Sequence, residues 1–180
     1  MYIDILKKIV NNYEYYKNIA VNLEWSEFNK KYYDWYKKYP VGISVSIYEF
    51  PENYIKQNFE KAYTQTVLLQ MAYCEEWEQD FWKIPLSERL QYMTQAEKFY
   101  SDYITYNELR LKYVTEDYLI EEIKWHAGEN DIPESEINLV IPYLTGAENI
   151  EIGGGYSGDH TFISIKDNSI MLIECGTWGS

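Results

Sequence analysis

Apolar side chains recur at helical spacing through residues 2 to 20, at Leu6, Ile9, Val10, Tyr13, Tyr16 and Ala20, which predicts a helix. A second helix is predicted from about Glu24, with Trp25, Phe28, Tyr32, Trp35, Tyr36 and Tyr39 on one side and Pro40 as its stop. An aromatic stripe of this kind is expected to face a core. From Val41 to Phe50 the period changes to two. Val41, Ile43, Val45 and Ile47 alternate with small or polar neighbours, which predicts a strand with one wet face. Pro51 is expected to open a long helix at its first turn, where a missing N–H does no harm. Its stripe (Ile55, Phe59, Ala62, Tyr63, Thr66, Val67, Leu69, Met71, Cys74 and Trp77) is wide enough for deep burial.

Ser87 is placed to cap a further helix carrying Leu90, Met93, Ala96, Tyr100, Ile104 and Leu111. Thr115 caps the next, with Glu116 and Asp117 in its first turn and Gly128 just past its end. Asp131-Ile-Pro-Glu134 resembles a capping box with Pro133 in the first turn, leading a short helix that uses Ile137, Val140 and Ile141 and closes before Pro142. The most definite local instructions come last. A short strand from residue 148 and a glycine-rich connection precede two apolar segments, His160 to Lys166 and Ser169 to Cys175, joined by Asp167-Asn168. Both turn residues tolerate the left-handed backbone of a two-residue hairpin. That turn sets a register: Lys166 opposite Ser169, Ile165 opposite Ile170, Ile163 opposite Leu172, Phe162 opposite Ile173 and His160 opposite Cys175. Ile163, Ile165, Ile170 and Leu172 then share one apolar face, and Phe162, Met171, Ile173 and Cys175 share the other, so it too is expected to be at least partly covered. The predicted architecture is α+β, helices packed on a small, mainly antiparallel sheet with a C-terminal β-hairpin. No linker, repeat or low-complexity segment interrupts residues 1 to 180, which read as one domain.

Composition changes this picture in two places. Net charge is −13, and it is uneven: residues 1–50 carry a net +1 and residues 51–180 a net −14. That balance repels nucleic acid and anionic membrane and favours basic partners. Lys30-Lys31 and Lys37-Lys38 flank aromatics, but in a segment close to neutral. Twenty Tyr and six Trp exceed what one core can hide, and these are the residues that anchor protein interfaces. No apolar run is long enough to cross a bilayer, and Met1-Tyr-Ile-Asp-Ile-Leu-Lys-Lys lacks the order of a secretory signal. Two cysteines do not make a disulfide framework. The reading is a soluble protein of a reducing cytoplasm.

Candidate chemistry is sparse, and no motif identifies a reaction. Gly153-Gly-Gly-Tyr-Ser-Gly158 is followed by a strand rather than a helix and lacks the lysine of a phosphate loop, so a bulged connection between strands is expected. Cys74, His126, His160 and Cys175 have no zinc-ligand spacing, and the carboxylates never fall in a calcium-loop pattern, so no metal or cofactor is expected. His126, in the last turn of its helix, is expected to complement the helix dipole. The register sets His160 beside Cys175, the core of a cysteine-nucleophile site with Asp159 or Glu174 as orienting group. Yet this Cys ends a strand rather than sitting at a helix N-terminus, and the structural pairing is the expectation.

What remains is acid interleaved with large rings. Glu75, Glu76, Trp77, Glu78 and Asp80 end the long helix, where carboxylates oppose the macrodipole. Glu116, Asp117, Tyr118, Glu121, Glu122 and Trp125 open a run that continues through Glu129, Asp131, Glu134 and Glu136 against a single Lys124. The plain reading is a solvated face. The functional one is an electrostatic docking surface with aromatic anchors.

Gly155-Tyr-Ser-Gly-Asp-His160, followed by two apolar strands ending Glu174-Cys-Gly-Thr-Trp178, resembles the C-terminal portion of some immunity proteins of bacterial polymorphic or contact-dependent toxin systems. The resemblance covers about the last 30 residues. It implies a cytoplasmic, non-enzymatic inhibitor that binds and neutralises a cognate toxin domain. The charge adds that this partner is basic, a nuclease for example, with no direct contact to nucleic acid or membrane. Two alternatives stay open: an acidic phage-type mimic of DNA directed at a DNA-binding enzyme, and a Cys–His hydrolase using Cys175 and His160.

Overall fold

A computed structural model describes residues 1–37, 41–72, 111–154 and 160–177, with the isolated positions 87, 88, 91, 97 and 100. The run Glu75 to Asp80 and most of the helix expected from Ser87 lie outside the described residues. The protein is α+β, with helices on both faces of an antiparallel sheet.

The N-terminal apolar spacing produces two helices rather than one, α1 (Tyr2–Val10) and α2 (Tyr13–Val21). Asn12 causes the break. Its side chain accepts from the Tyr15 N–H at 2.9 Å and so starts a new helix. The second predicted helix is absent: residues 29–34 form strand β1 (Asn29–Asp34). Lys31, Tyr33 and Trp35 alternate onto one face as well as fitting a helical stripe, and Tyr and Trp favour strands. Neighbouring β2 (Val41–Glu49), paired antiparallel with β1, settles the choice. Trp35 is buried, whereas Trp25, Phe28, Tyr32 and Tyr36 are exposed, so most of the expected aromatic stripe faces outward.

β2 has no wet face. Ser44 and Ser46 are as buried as Ile43, Val45 and Ile47, because the strand lies inside the sheet with layers above and below. Helix α3 (Tyr54–Ala72) begins three residues after Pro51, since Asn53 adopts φ +63° in the turn before it, and it kinks at Asn58. Its buried residues include Ile55, Phe59, Ala62 and Tyr63 of the predicted stripe.

After β3 (Lys112–Tyr113), a two-residue strand with no signature of its own, comes α4 (Glu116–Glu129). Thr115 caps it as expected, its hydroxyl accepting from the Tyr118 N–H at 3.2 Å. Asn130 rather than Gly128 forms its C-cap. The expected capping box does not form. Asp131 takes φ +56°, and Pro133 stands at the N-cap without a side-chain bond. The short helix resolves into two single turns, α5 (Glu134–Ile137) and α6 (Ile141–Leu144), with Pro142 inside the first turn of the second. Strands β4 (Glu148–Gly154), β5 (His160–Lys166) and β6 (Ser169–Thr177) complete the sheet, in the order β1-β2-β6-β5-β4-β3.

The hairpin is therefore the middle of the sheet, and every predicted pair holds, from Lys166 with Ser169 to His160 with Cys175. Asp167 takes the left-handed backbone, φ +31°, that its turn position asks of it. Ile163, Ile165, Ile170 and Leu172 pack under α1, α2 and α3. Phe162, Met171, Ile173 and Cys175 pack under α4, α5 and α6 together with Trp35, Ile43, Val45 and Ile47. The glycine-rich stretch joins two antiparallel strands, with a shift of register between Glu151 and Gly153. Among the described residues no helix is long and apolar enough to cross a membrane.

Candidate partner-binding surface

Leu119, Ile123 and Ala127 seat α4 on the apolar face of the sheet. That seating fixes where its polar residues go. Asp117, Glu121 and Trp125 follow one another at four-residue steps on the outward side, and Glu129 continues the line. Trp125 is 51% exposed, unusual for the largest apolar side chain on a helix that otherwise buries its apolar residues. Glu116 and Asp117 lie at the positive end of the helix dipole, where carboxylates are stabilising. Glu116 is partly engaged, accepting from the Gly146 N–H at 3.2 Å.

Tyr118 and Glu122 turn the other way, toward the sheet. Tyr118 meets Phe162 edge-on, ring centroids 6.2 Å apart, and its hydroxyl is pushed up by burial and by the charges of Glu122 and Glu151. Glu122 is half-buried, its carboxylate 4.0 Å from Nδ1 of His126. The predicted set thus divides into an outward face (Asp117, Glu121, Trp125), an inward pair (Tyr118, Glu122) and Glu116 at the helix start. Glu75, Glu76, Trp77, Glu78 and Asp80 lie outside the described residues.

Beneath the inward pair is a polar group that the sequence reading missed. Glu151 on β4 is 4% exposed. His160 Nδ1 lies 3.1 Å from its Oε1, and the Lys112 ammonium lies 2.7 Å from its Oε2 as an ion pair outside hydrogen-bond alignment. A buried carboxylate needs such compensation. The available signal was indirect: once both faces of the hairpin are covered, the polar positions of the strand beside it are covered too. His126 also departs from expectation. It is buried, and desolvation lowers its imidazole below the ordinary value, which disfavours the cation that would complement the helix dipole.

No protein-family model, no curated protein and no solved structure matches this chain.

The chemistry has to be read from the residues alone. Cys175 is 2% exposed, and burial, reinforced by Glu122 and Glu174, pushes its thiol far above the usual range. The nucleophile of a cysteine hydrolase requires the opposite, an accessible thiol with a lowered value. His160 gives its Nδ1 to Glu151. We expect Cys175 to resist iodoacetamide in the folded protein and to react once urea unfolds it, read by mass spectrometry of its own peptide. Rapid modification in the folded state would restore the hydrolase reading. At the other end of the hairpin, an open cleft of about 470 Å³ is lined by Tyr2, Glu52, Asn53, Lys56, Asp167 and Asn168. Among the described residues no group of three His, Cys, Asp or Glu side chains is arranged to hold a metal ion.

Proposed function

We propose that this protein is a cytoplasmic inhibitor of the immunity-protein type, which binds a basic toxin domain and occupies its cleft with the outward face of α4. The observation that carries the reading is Trp125, half exposed in a line with Asp117, Glu121 and Glu129. An exposed Trp in line with carboxylates combines long-range attraction for a positive cleft with an aromatic anchor that slows dissociation. Carboxylates lodged in the active cleft of a nuclease, or of another enzyme of anionic substrates, exclude the substrate. The resemblance of the C-terminal strands to immunity proteins points the same way, as does a buried thiol unsuited to catalysis.

The test is co-expression with a toxin domain, should one be encoded beside this protein. Growth should be restored by the parent protein and the pair should co-purify. Restoration that survives Trp125→Ala combined with Asp117→Lys and Glu121→Lys would remove α4 from the interface. Failure of the parent protein to restore growth would remove the function.

A further inference from the structure

His126 lies on the inward side of α4 with 1% of its surface exposed. Its Nδ1 is 2.9 Å from the carbonyl oxygen of Glu122, so Nδ1 carries a proton and donates it. In the neutral ring Nε2 is then a bare acceptor, and among the described residues nothing donates to it. A neutral ring bears that at the cost of one unmade bond. A protonated ring would set an N–H⁺ in the same buried place, without an acceptor among the described residues, which costs considerably more.

This ring is tied to the outward face of α4. The Trp125 indole meets it edge-on, centroids 4.6 Å apart at 90°. The Asn130 side chain donates to the His126 carbonyl at 2.8 Å and accepts from the Lys37 N–H at 3.0 Å, in the segment that follows β1. Ring, exposed indole and helix end form one mechanical unit.

We propose that His126 is a proton-operated latch: the neutral ring holds the C-terminal half of α4 and Trp125 on the sheet, and the protonated ring leaves its site and lets them go. The biological sense of the latch, acid-dependent release of a partner, rests on the docking role proposed for α4. Its test does not.

The groups around the ring act in both directions. On α4 itself the Glu122 carboxylate, 4.0 Å away, attracts the charged ring and opposes release. From β5, His160 disfavours a second positive charge. His160 is itself held by Glu151 of β4, which Lys112 of β3 also pairs. β6 contributes Cys175, kept neutral by burial, and β2 presents Ile43, Val45 and Ile47, none of which titrates. Burial is the largest of these effects and keeps the ring neutral below its ordinary value. Between that ordinary value and the lower one in the closed protein, the open form binds a proton that the closed form refuses. The closed form therefore loses stability relative to the open one as pH falls below about 6.5.

Hydrogen exchange of the amides of residues 120–129, compared at pH 7.5 and 5.5 after correction for intrinsic rates, reads the latch directly. The open population is expected to rise at pH 5.5, one unit below the value of a free imidazole, with about tenfold as the upper limit for a closed form that takes up no proton. His126→Phe keeps a ring in the site without a titrating nitrogen and should abolish the rise. His160→Gln should retain it. If His126→Phe does not fold, the imidazole resonances of the parent protein serve instead: His126 must stay neutral while α4 is protected and titrate only as α4 opens. Protection that is indifferent to pH, a rise that persists in His126→Phe, or its disappearance in His160→Gln would each overturn the latch. No toxin enters these measurements, so their failure leaves the docking reading untouched, and the reverse holds as well.

Discussion

Trp125→Ala is expected to weaken the proposed complex with a toxin domain by at least about 2 kcal/mol, roughly thirtyfold in Kd, while leaving the fold unchanged. Half of this side chain already faces solvent and the helix is seated by Leu119, Ile123 and Ala127, so little packing is lost in the free protein. The loss should appear mainly in the dissociation rate, because a buried indole slows escape. Charge reversal should act on the other rate. Asp117→Lys with Glu121→Lys is expected to slow association, and added salt should slow it in the parent protein, since both charges are exposed and screened. Glu122 is a poor member of such a set. It leans inward beside His126, so reversing it disturbs the folded protein as well as the interface. Surface plasmon resonance across a range of salt separates the two effects. If Trp125→Ala binds like the parent protein, α4 is a solvated face and the docking surface lies elsewhere.

The second large effect belongs to the fold. Phe162→Ala should lower the free energy of unfolding by about 3–5 kcal/mol, measured by urea titration followed through tryptophan fluorescence. Phe162 is fully buried in the central hairpin, edge-on to Tyr118 and stacked on His160 with centroids 6.0 Å apart. Removing it leaves a cavity beneath α4, beside its register partner Glu151 on β4. A cost under about 1 kcal/mol would mean that α4 collapses onto the sheet and that its seating is softer than described.

The hairpin was legible because its turn chemistry is local: Asp167-Asn168 between two apolar segments sets one register, and a slip of one residue would have reversed every side chain. β1 was not legible because its rings satisfy two periods at once. Trp25, Phe28, Tyr32 and Trp35 fit a helix; Lys31, Tyr33 and Trp35 fit a strand; only pairing with β2 decides between them. β3 could not be read at all, since Lys112 and Tyr113 are a strand only through Glu151 and Ile150, far along the chain. The acidity of α4 was plain in the sequence. Its division into outward and inward carboxylates depends on how the helix is seated, which is a tertiary fact. Glu151 was overlooked for a related reason: in ENIEIGGG it sits between isoleucines, and nothing local says that both sides of its strand are covered.

The strand order sets a timetable. β2 pairs with β6, and even the partners nearest in sequence, Glu49 and Ser169, are about 120 residues apart, so closing this pair carries a long-loop entropy cost before any contact offsets it. At a synthesis rate of about 5–20 residues per second, β2 waits roughly 6–25 s for the strand that will cover its inner edge. Through that interval Ile43, Val45 and Ile47 lack their central neighbours, and the nascent chain is open to aggregation or to a chaperone.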